Sequence, residues 1–157
     1  GITTPGTGIV LNDQMDDFDK RPGNANSIAG GKRPLSSMSP TLLLKDGKPF
    51  ATIGSPGGKR ILSTVAMLIS GLVDCDMDIQ SAINTPRINN YEDGPLKIEA
   101  RIPLEVQNEL SQMGHKLIIK KDFDLYFGGA QGVVIDQKSG MLHGGADPRR
   151  DGKAIGY

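Results

Sequence analysis

The stretch FATIGSPGGKRILSTVAMLISGLV, residues 50–73, decides the fold. It begins with an apolar run typical of a buried strand, and its second half repeats apolar residues at helical spacing. Between them stands Gly54-Ser55-Pro56-Gly57-Gly58, whose glycines allow a sharp turn. The stretch therefore predicts a strand, a glycine loop and a helix. The residues expected on one face of that helix are Ile61, Leu62, Val65, Ala66, Leu68, Ile69, Leu72 and Val73.

The glycine loop has two possible roles. Backbone N–H groups without side chains, at the positive end of a helix, form a site for a phosphate or for the oxyanion of an acyl-transfer intermediate. The phosphate-loop pattern fails, because the glycine spacing is one residue short and Arg60 stands where Ser or Thr is required. Alternatively, the glycines only ease the turn.

The elements on either side predict a layered fold. Asp46-Gly47 separates the apolar runs 41–44 and 50–53, which indicates a hairpin. Since both runs are continuously apolar, we expect both faces of the hairpin to be covered. Clusters of strands and helices favour an α+β fold over a doubly wound one. Further strands are expected at 9–11, 96–100, 117–119, 132–135 and 141–143, and further helices at 78–83, with Asp78 as N-cap, and at 103–113.

The totals exclude several classes of function. The 157 residues suffice for a single domain over 1–157. A net charge of zero with dispersed basic residues gives no reason to expect nucleic acid as a partner. No apolar run approaches the length of a membrane span.

The segment 12–18, NDQMDDF, combines three carboxylates with two amides. Such a set can bind a cation, commonly Ca²⁺, although the EF-hand spacing is absent. Its oxygens can instead accept hydrogen bonds from a ligand ammonium group. The third possibility is a solvated acidic loop.

The segment 33–40, RPLSSMSP, places three hydroxyls between two prolines. The prolines fix φ and restrict the preceding residue, so we expect an extended, stiff segment. Ser36 and Ser37 can both donate to a carboxylate. A carboxylate donor pair, ammonium acceptors and an oxyanion site together describe an α-amino acid held beside an acyl centre.

Five motifs in this order resemble the small (C-terminal) subunit of the γ-glutamyltranspeptidases, almost from end to end: LNDQMDDF, KRPLSSMSPT, KDGKPF, GSPGG and GGADPRRDGKAIGY. The resemblance implies an N-terminal-nucleophile (Ntn) hydrolase fold, an αββα four-layer sandwich of which this chain forms the small-subunit portion. It also implies a self-cleaving precursor whose new N-terminal threonine attacks the γ-glutamyl amide of glutathione or a related compound. The free α-amine of that threonine acts as base.

The resemblance assigns site roles by motif position. Gln14 and Asp17 match the residues that hold the substrate α-ammonium, and Ser36 and Ser37 match the pair that binds the α-carboxylate. Gly57 and Gly58 match the oxyanion-hole glycines. The implied partners are the large subunit of the same precursor, the γ-glutamyl substrate, and an acceptor amino acid, peptide or water. No metal or organic cofactor is required, and a periplasmic or secreted location is suggested.

Two departures from the family pattern lead to further expectations. The catalytic threonine is expected about two dozen residues before Gly8, so we expect a truncated small subunit that is inactive alone. Thr3 and Thr4 lie too close to the expected strand at 9–11 to serve. The stretch 18–32 is shorter than in members with a lid over the glutamyl pocket, which predicts an open cleft that admits poly-γ-glutamate.

Two other functions compete with a γ-glutamyl hydrolase and transferase. One is a related Ntn acylase of the cephalosporin-acylase kind, against which the serine pair and Gln14 with Asp17 argue. The other is a catalytically degenerate homologue that only binds an amino acid.

Overall fold

The computed structural model describes residues 2–91 and 94–156 of the chain. These divide into two compact units, one ending at Ser37 and one beginning at Met38. Each unit is described by itself. In the described residues, no helix is long and apolar enough to cross a bilayer.

The first unit contains little regular structure. Gln14–Asp17 forms a 3-10 turn, and isolated bridges pair Thr3 with Val10 and Asp19 with Ser27. The prediction of a strand at 9–11 is wrong, because only Val10 finds a bridge partner and the apolar side chains there stay exposed. A strand needs a ladder of pairs, and a three-residue apolar run does not supply one by itself.

The second unit is built on a four-stranded antiparallel sheet of β1 (Thr41–Lys45), β2 (Lys48–Gly54), β6 (Gln131–Ile135) and β7 (Leu142–Ala146), in the order β1-β2-β6-β7. The predicted hairpin is confirmed, with Asp46 and Gly47 at φ 51° and 75°. Positive φ at both turn residues matches the twist of the flanking strands, which explains the Asp-Gly pair. The strands predicted at 132–135 and 141–143 are confirmed as β6 and β7, which pair as a second antiparallel hairpin.

One face of this sheet packs against α1 (Ile61–Val73) and α2 (Ile79–Asn84). Gly132 and Gly145 allow the close approach, because a Cβ at either glycine would lie within 2.8 Å of an Ile79 or Ile83 side-chain carbon. Asp78 caps α2 as predicted, accepting from the Ser81 N–H at 2.9 Å. The buried core consists of Ala51, Ile53, Ile61, Val65, Leu68, Leu72, Ile79, Ala82, Ile83 and Ala130.

Two predictions about faces are wrong. Leu42 and Leu44 of β1 are more than half exposed, so the residues that the structure describes cover only one face of the hairpin. On α1, Leu62, Ala66 and Val73 are also exposed, and Thr64 is buried instead. The helix buries a narrower stripe than its apolar content indicates, since one sheet face and α2 are the surfaces available to it.

A second, three-stranded sheet has the order β3-β4-β5, with strands β3 (Ile88–Asn89), β4 (Leu96–Glu99) and β5 (Leu117–Lys120). Strands β3 and β4 are antiparallel, whereas β4 and β5 are parallel and joined through α3 (Leu104–Gln112). The predicted elements at 96–100, 103–113 and 117–119 are confirmed within about a residue at their ends. The two-residue strand β3 was not predicted.

Candidate functional site

The glycine loop connects β2 to α1 as the sequence predicts. Gly57 has φ 141° and ψ 6°, and Gly58 has φ 57°, so both occupy conformations that side-chain-bearing residues rarely adopt. The chain then makes a 3-10 turn over Gly58–Arg60, in which the Arg60 N–H donates to the Gly57 carbonyl at 3.3 Å, and α1 follows directly. Two glycines before a helical N-terminus form a concave backbone that can host an anion.

A second loop, Asp124–Gly129, packs directly against the glycine loop. The Gly129 N–H donates to Ser55 Oγ at 3.3 Å, and Ser55 Oγ donates to the Pro56 carbonyl at 2.8 Å. A Cβ on Gly57 would lie 3.4 Å from Gly128 Cα, and a Cβ on Gly128 would collide with the Pro56 carbonyl oxygen. Gly128 therefore permits a contact that a larger residue would prevent, whereas a Cβ at Gly57 would only touch Gly128.

A buried ion-pair network supports the second loop. Arg149 donates to Glu99 from Nε at 2.6 Å and from Nη2 at 2.9 Å, and to Asp147 from Nη1 at 3.1 Å. Arg87 pairs with Asp147 at 2.6 Å, and Arg101 pairs with Glu99 at 2.6 Å. Burial lowers the pKa of Arg87, and the neighbouring Arg149 charge adds to that effect.

The network is tied to the loop by backbone contacts. Arg87 Nη1 donates to the Phe127 carbonyl at 2.9 Å, and the Ala130 N–H donates to Asp147 Oδ2 at 2.7 Å. The Phe127 carbonyl also accepts from Thr64 Oγ1 of α1 at 3.1 Å. Sequence reasoning missed this network, because the partners are separated along the chain and alternation along β4 does not predict a buried Glu99.

In the first unit, Gln14 and Asp17 begin and end the 3-10 turn. The Gln14 N–H donates to Asn12 Oδ1 at 3.1 Å, which fixes the start of the turn. Gln14 is half-buried and Asp17 is exposed. Asp16 between them is paired with Lys20 at 2.7 Å, and the Lys20 hydrogen bond and charge lower the pKa of Asp16.

Ser36 and Ser37 lie in residues 33–40, which form no helix, as the prolines predict, and no strand. Asn26 connects this segment to the acidic turn. Its Nδ2 donates to the Asp17 carbonyl at 2.7 Å, and its Oδ1 accepts from the Leu35 N–H at 3.0 Å. One amide side chain thus brings the ammonium-binding candidates and the serine pair to the same part of the unit. Sequence reasoning did not single out Asn26.

The short stretch between Phe18 and Lys32 is held together by hydrogen bonds among its own residues. Asp19 accepts from the Arg21 N–H at 2.9 Å and from Asn24 Nδ2 at 2.6 Å, and it pairs with the Arg21 guanidinium at 3.2 Å. The Arg21 and Asn24 hydrogen bonds hold the pKa of Asp19 far below its usual range. Ser27 Oγ donates to the Arg21 carbonyl at 2.6 Å and completes a compact turn.

The calcium alternative for residues 12–18 gains no support. Over residues 2–91 and 94–156, no three or more His, Cys, Asp or Glu side chains are gathered as a metal site would require.

Comparison with known proteins identifies the family. The family model described as gamma-glutamyltranspeptidase matches residues 1–157. The glutathione hydrolase proenzyme of Bacillus subtilis is 40% identical over 156 residues, covering 99% of this chain and 26% of that protein. This chain thus spans about a quarter of the length of that curated relative.

Solved structures show the same fold. A mutant of Helicobacter pylori γ-glutamyltranspeptidase is 37% identical with a TM-score of 0.82, covering 95% of this chain and 86% of that chain. A cephalosporin acylase from Bacillus halodurans is 28% identical with a TM-score of 0.85, covering 98% of this chain and 29% of that chain. The predicted fold class, the α+β fold of the Ntn hydrolases, is confirmed for the portion that this chain forms. Because the family model matches along the whole length of the chain, this protein belongs to the γ-glutamyltranspeptidase family.

Proposed function

We propose that this chain supplies glutamyl recognition and oxyanion stabilisation to a γ-glutamyl hydrolase and transferase. Its substrates are glutathione and other γ-glutamyl amides. The observation that carries the proposal is a family match over residues 1–157 that contains a glycine loop with positive φ at both Gly57 and Gly58.

The proposed reaction is acyl transfer. An N-terminal threonine, supplied from outside residues 1–157, loses its hydroxyl proton to its own α-amine and attacks the γ-carbonyl carbon. The carbonyl oxygen becomes an oxyanion, which the Gly57 and Gly58 N–H groups stabilise. The C–N bond then breaks, and the amine leaves with the proton. Water or an acceptor amine attacks the acyl ester and regenerates the threonine.

Recognition of the glutamyl head group is assigned to the first unit. Ser36 and Ser37 donate to the α-carboxylate, while Gln14 and Asp17 accept from the α-ammonium. The Asn26 bridge supports this assignment, because it links the backbone beside Asp17 to the backbone beside Ser36. A γ-linked glutamyl group is the ligand that presents a free ammonium and a free carboxylate on the same carbon.

The proposed partner is the large subunit of the same precursor. Relatives are named proenzymes, which accords with an activity that requires processing. We expect residues 1–157 alone to be inactive, because the mechanism needs a nucleophile that they do not contain.

A second candidate is an acylase that accepts a different head group. The likeness to the Bacillus halodurans cephalosporin acylase favours it. The two functions differ in whether the enzyme binds an α-ammonium group on the substrate. A glutaryl amide keeps the carboxylate of a γ-glutamyl amide and lacks its ammonium, so Gln14 and Asp17 would contribute nothing to its binding.

The test compares γ-glutamyl-p-nitroanilide with glutaryl-p-nitroanilide, using the complete protein with both subunits. Release of p-nitroaniline from the γ-glutamyl compound alone supports the proposal. Preference for the glutaryl compound supports the acylase, and release from neither would leave a degenerate binder. The isolated 157-residue chain is the matched control, and turnover by a verified pure sample of it would contradict the assignment of the nucleophile.

A further inference from the structure

Three cationic groups surround one tyrosine ring in the second unit. Arg60 Cζ lies 4.6 Å from the Tyr126 ring centroid, Lys120 Nζ lies 5.0 Å away, and Lys97 Nζ lies 5.3 Å away. Each contact has the geometry of a cation–π interaction. The three charges come from the 3-10 turn after the glycine loop, from β4 and from the end of β5, so the fold brings them together.

These three charges are gathered without an ion-paired carboxylate in the part of the chain that the structure describes. None of the three forms an ion pair there, and Arg60 Nε is buried without a hydrogen-bond partner. The Asp124 carboxylate in the same loop accepts from the Tyr126 N–H at 2.8 Å. Since all three cations lie close to one centroid, any two are separated by no more than about 10 Å, the Debye length at 0.1 M salt. Their mutual repulsion is therefore incompletely screened and would be relieved by a bound anion.

The ring at the centre of this cluster is held in place. Tyr126 Oη donates to Asn89 Oδ1 at 3.0 Å, and Asn89 Nδ2 donates to Ser63 Oγ at 2.9 Å. Asn89 is buried, and the ring packs edge-on against Phe127 at 5.1 Å between centroids. A fixed platform lowers the entropy cost of ordering the cations around a ligand.

The cluster adjoins the glycine loop on two sides. Arg60 belongs to the 3-10 turn that begins at Gly58, and its N–H donates to the Gly57 carbonyl. Tyr126 stands two residues before Gly128, whose backbone lies against Gly57. An anion bound at the cluster would therefore be near any acyl centre at Gly57 and Gly58.

We propose that Arg60, Lys97 and Lys120 around Tyr126 bind a carboxylate on the amine side of the scissile bond. That carboxylate belongs either to the amine that leaves or to the acceptor peptide that enters. Both are amines that carry a carboxylate, so one site could bind either. This inference rests on the proposed function, because it takes Gly57 and Gly58 to mark the acyl centre. It adds a site for the part of the substrate beyond the glutamyl head group.

The leaving-group arm uses two chromogenic donors in the complete protein, γ-glutamyl-p-nitroanilide and γ-glutamyl-3-carboxy-4-nitroanilide. They differ by one carboxylate on the leaving aniline. In the double variant Lys97→Met/Lys120→Met we expect the KM ratio of the carboxylated to the plain donor to rise roughly fivefold, since both lysines are only half-buried and ion pairs that solvent still reaches are individually weak. Lys45→Met is the matched control, because Lys45 lies over a single ring, that of Phe50, at 5.8 Å.

The acceptor arm replaces the donors with glycylglycine and glycylglycinamide, measured both as transfer acceptors and by equilibrium binding. A change in the acceptor ratio with an unchanged donor ratio would assign the site to the acceptor, and the reverse would assign it to the leaving group. The inference would be overturned if the donor KM ratio and the acceptor ratio were each the same in the wild type, the double variant and the control. If no donor is turned over but glycylglycine binding still weakens in the double variant, the proposed function fails while the carboxylate site stands.

Discussion

Arg149 donates from Nε to Glu99 Oε1 at 2.6 Å, and solvent reaches neither side chain. Arg149 stands two residues after Asp147, which follows the last strand, whereas Glu99 ends β4 of the other sheet. The pair thus connects the C-terminal segment to the three-stranded sheet. Asp147, which Arg149 also contacts, holds the loop that packs on Gly57.

We predict that Glu99→Gln destabilises the protein strongly. It leaves the Arg149 charge buried beside a neutral amide, and breaking a buried ion pair from one side typically costs about 3–5 kcal/mol in the free energy of unfolding. Urea denaturation measures that loss. The control is Lys20→Met, which breaks the exposed Lys20–Asp16 pair and should cost nothing measurable. Equal stability of the two variants would refute a structural role for the network.

Gly58→Ala should impair catalysis more than it impairs folding. Gly58 and Gly140 both have positive φ, and an added Cβ meets no atom within 4 Å at either, so Ala should cost about 1 kcal/mol of stability at each position. If Gly58 stabilises the oxyanion, Gly58→Ala should lower kcat by up to roughly a hundredfold and Gly140→Ala should not, because alanine keeps the N–H but disfavours the positive φ that aims it. The matched control is Gly140→Ala. Turnover of γ-glutamyl-p-nitroanilide by Gly58→Ala and by Gly140→Ala checks this, and equal activities would argue against a role for Gly58 in the oxyanion site.

Ser36→Ala and Ser37→Ala should each weaken recognition of the α-carboxylate. A hydrogen bond to a charged group is worth about 1.5–3 kcal/mol, so each change should lower kcat/KM by roughly tenfold to a hundredfold. The control substrate is 4-aminobutyryl-p-nitroanilide, which lacks that carboxylate and should show no such loss. Ser39→Ala in the same segment is the control variant. A loss of the same size on both substrates would argue against carboxylate binding.

The cap of α2 predicts a pH-dependent stability. The Ser81 hydrogen bonds lower the pKa of Asp78 below its ordinary 3.8. A depressed folded-state pKa contributes stability that is present above the unfolded pKa and is lost as the pH falls through the folded one. Asp78→Ala should therefore cost about 1 kcal/mol at pH 7, and this difference should shrink below pH ~4.

Asp78→Asn provides the control for the cap. An amide still accepts from the Ser81 N–H, so this variant should keep most of the stability at neutral pH. Urea titrations at several pH values measure both variants. A cost of Asp78→Ala that stays constant from pH 7 to pH 3 would show that the carboxylate charge is irrelevant.

The compact Asp19 turn predicts a broad substrate range. Since residues 18–32 close on themselves through Asp19 and Ser27, we expect γ-glutamyl oligomers to be cleaved along with glutathione. Product release from both substrates measures this, and α-linked glutamyl oligomers, which lack the γ-amide, serve as the control. If glutathione is cleaved while γ-glutamyl oligomers remain intact, the prediction of an open cleft is wrong.

Local sequence determined the elements whose partners are close in the chain. The Asp46-Gly47 turn, the apolar spacing of α1 and the Asp78 cap each depend on contacts within a few residues. These elements could therefore be predicted from the residue types alone. The positive φ values at Gly57 and Gly58 belong to the same class, because only glycine enters those conformations cheaply. The strand expected at 9–11 failed because an apolar run does not by itself supply a ladder of pairs, and only Val10 forms a bridge, with Thr3.

Tertiary structure alone decided which faces are buried and which distant groups meet. Leu42 is exposed, whereas Arg149 is buried, although hydropathy alone suggests the opposite. Burying a charge is costly unless it is paired, and the distant partner Glu99 is brought to Arg149 only when the fold has formed. The Asn26 bridge and the cations around Tyr126 likewise depend on segments that are separate in the chain and converge on folding.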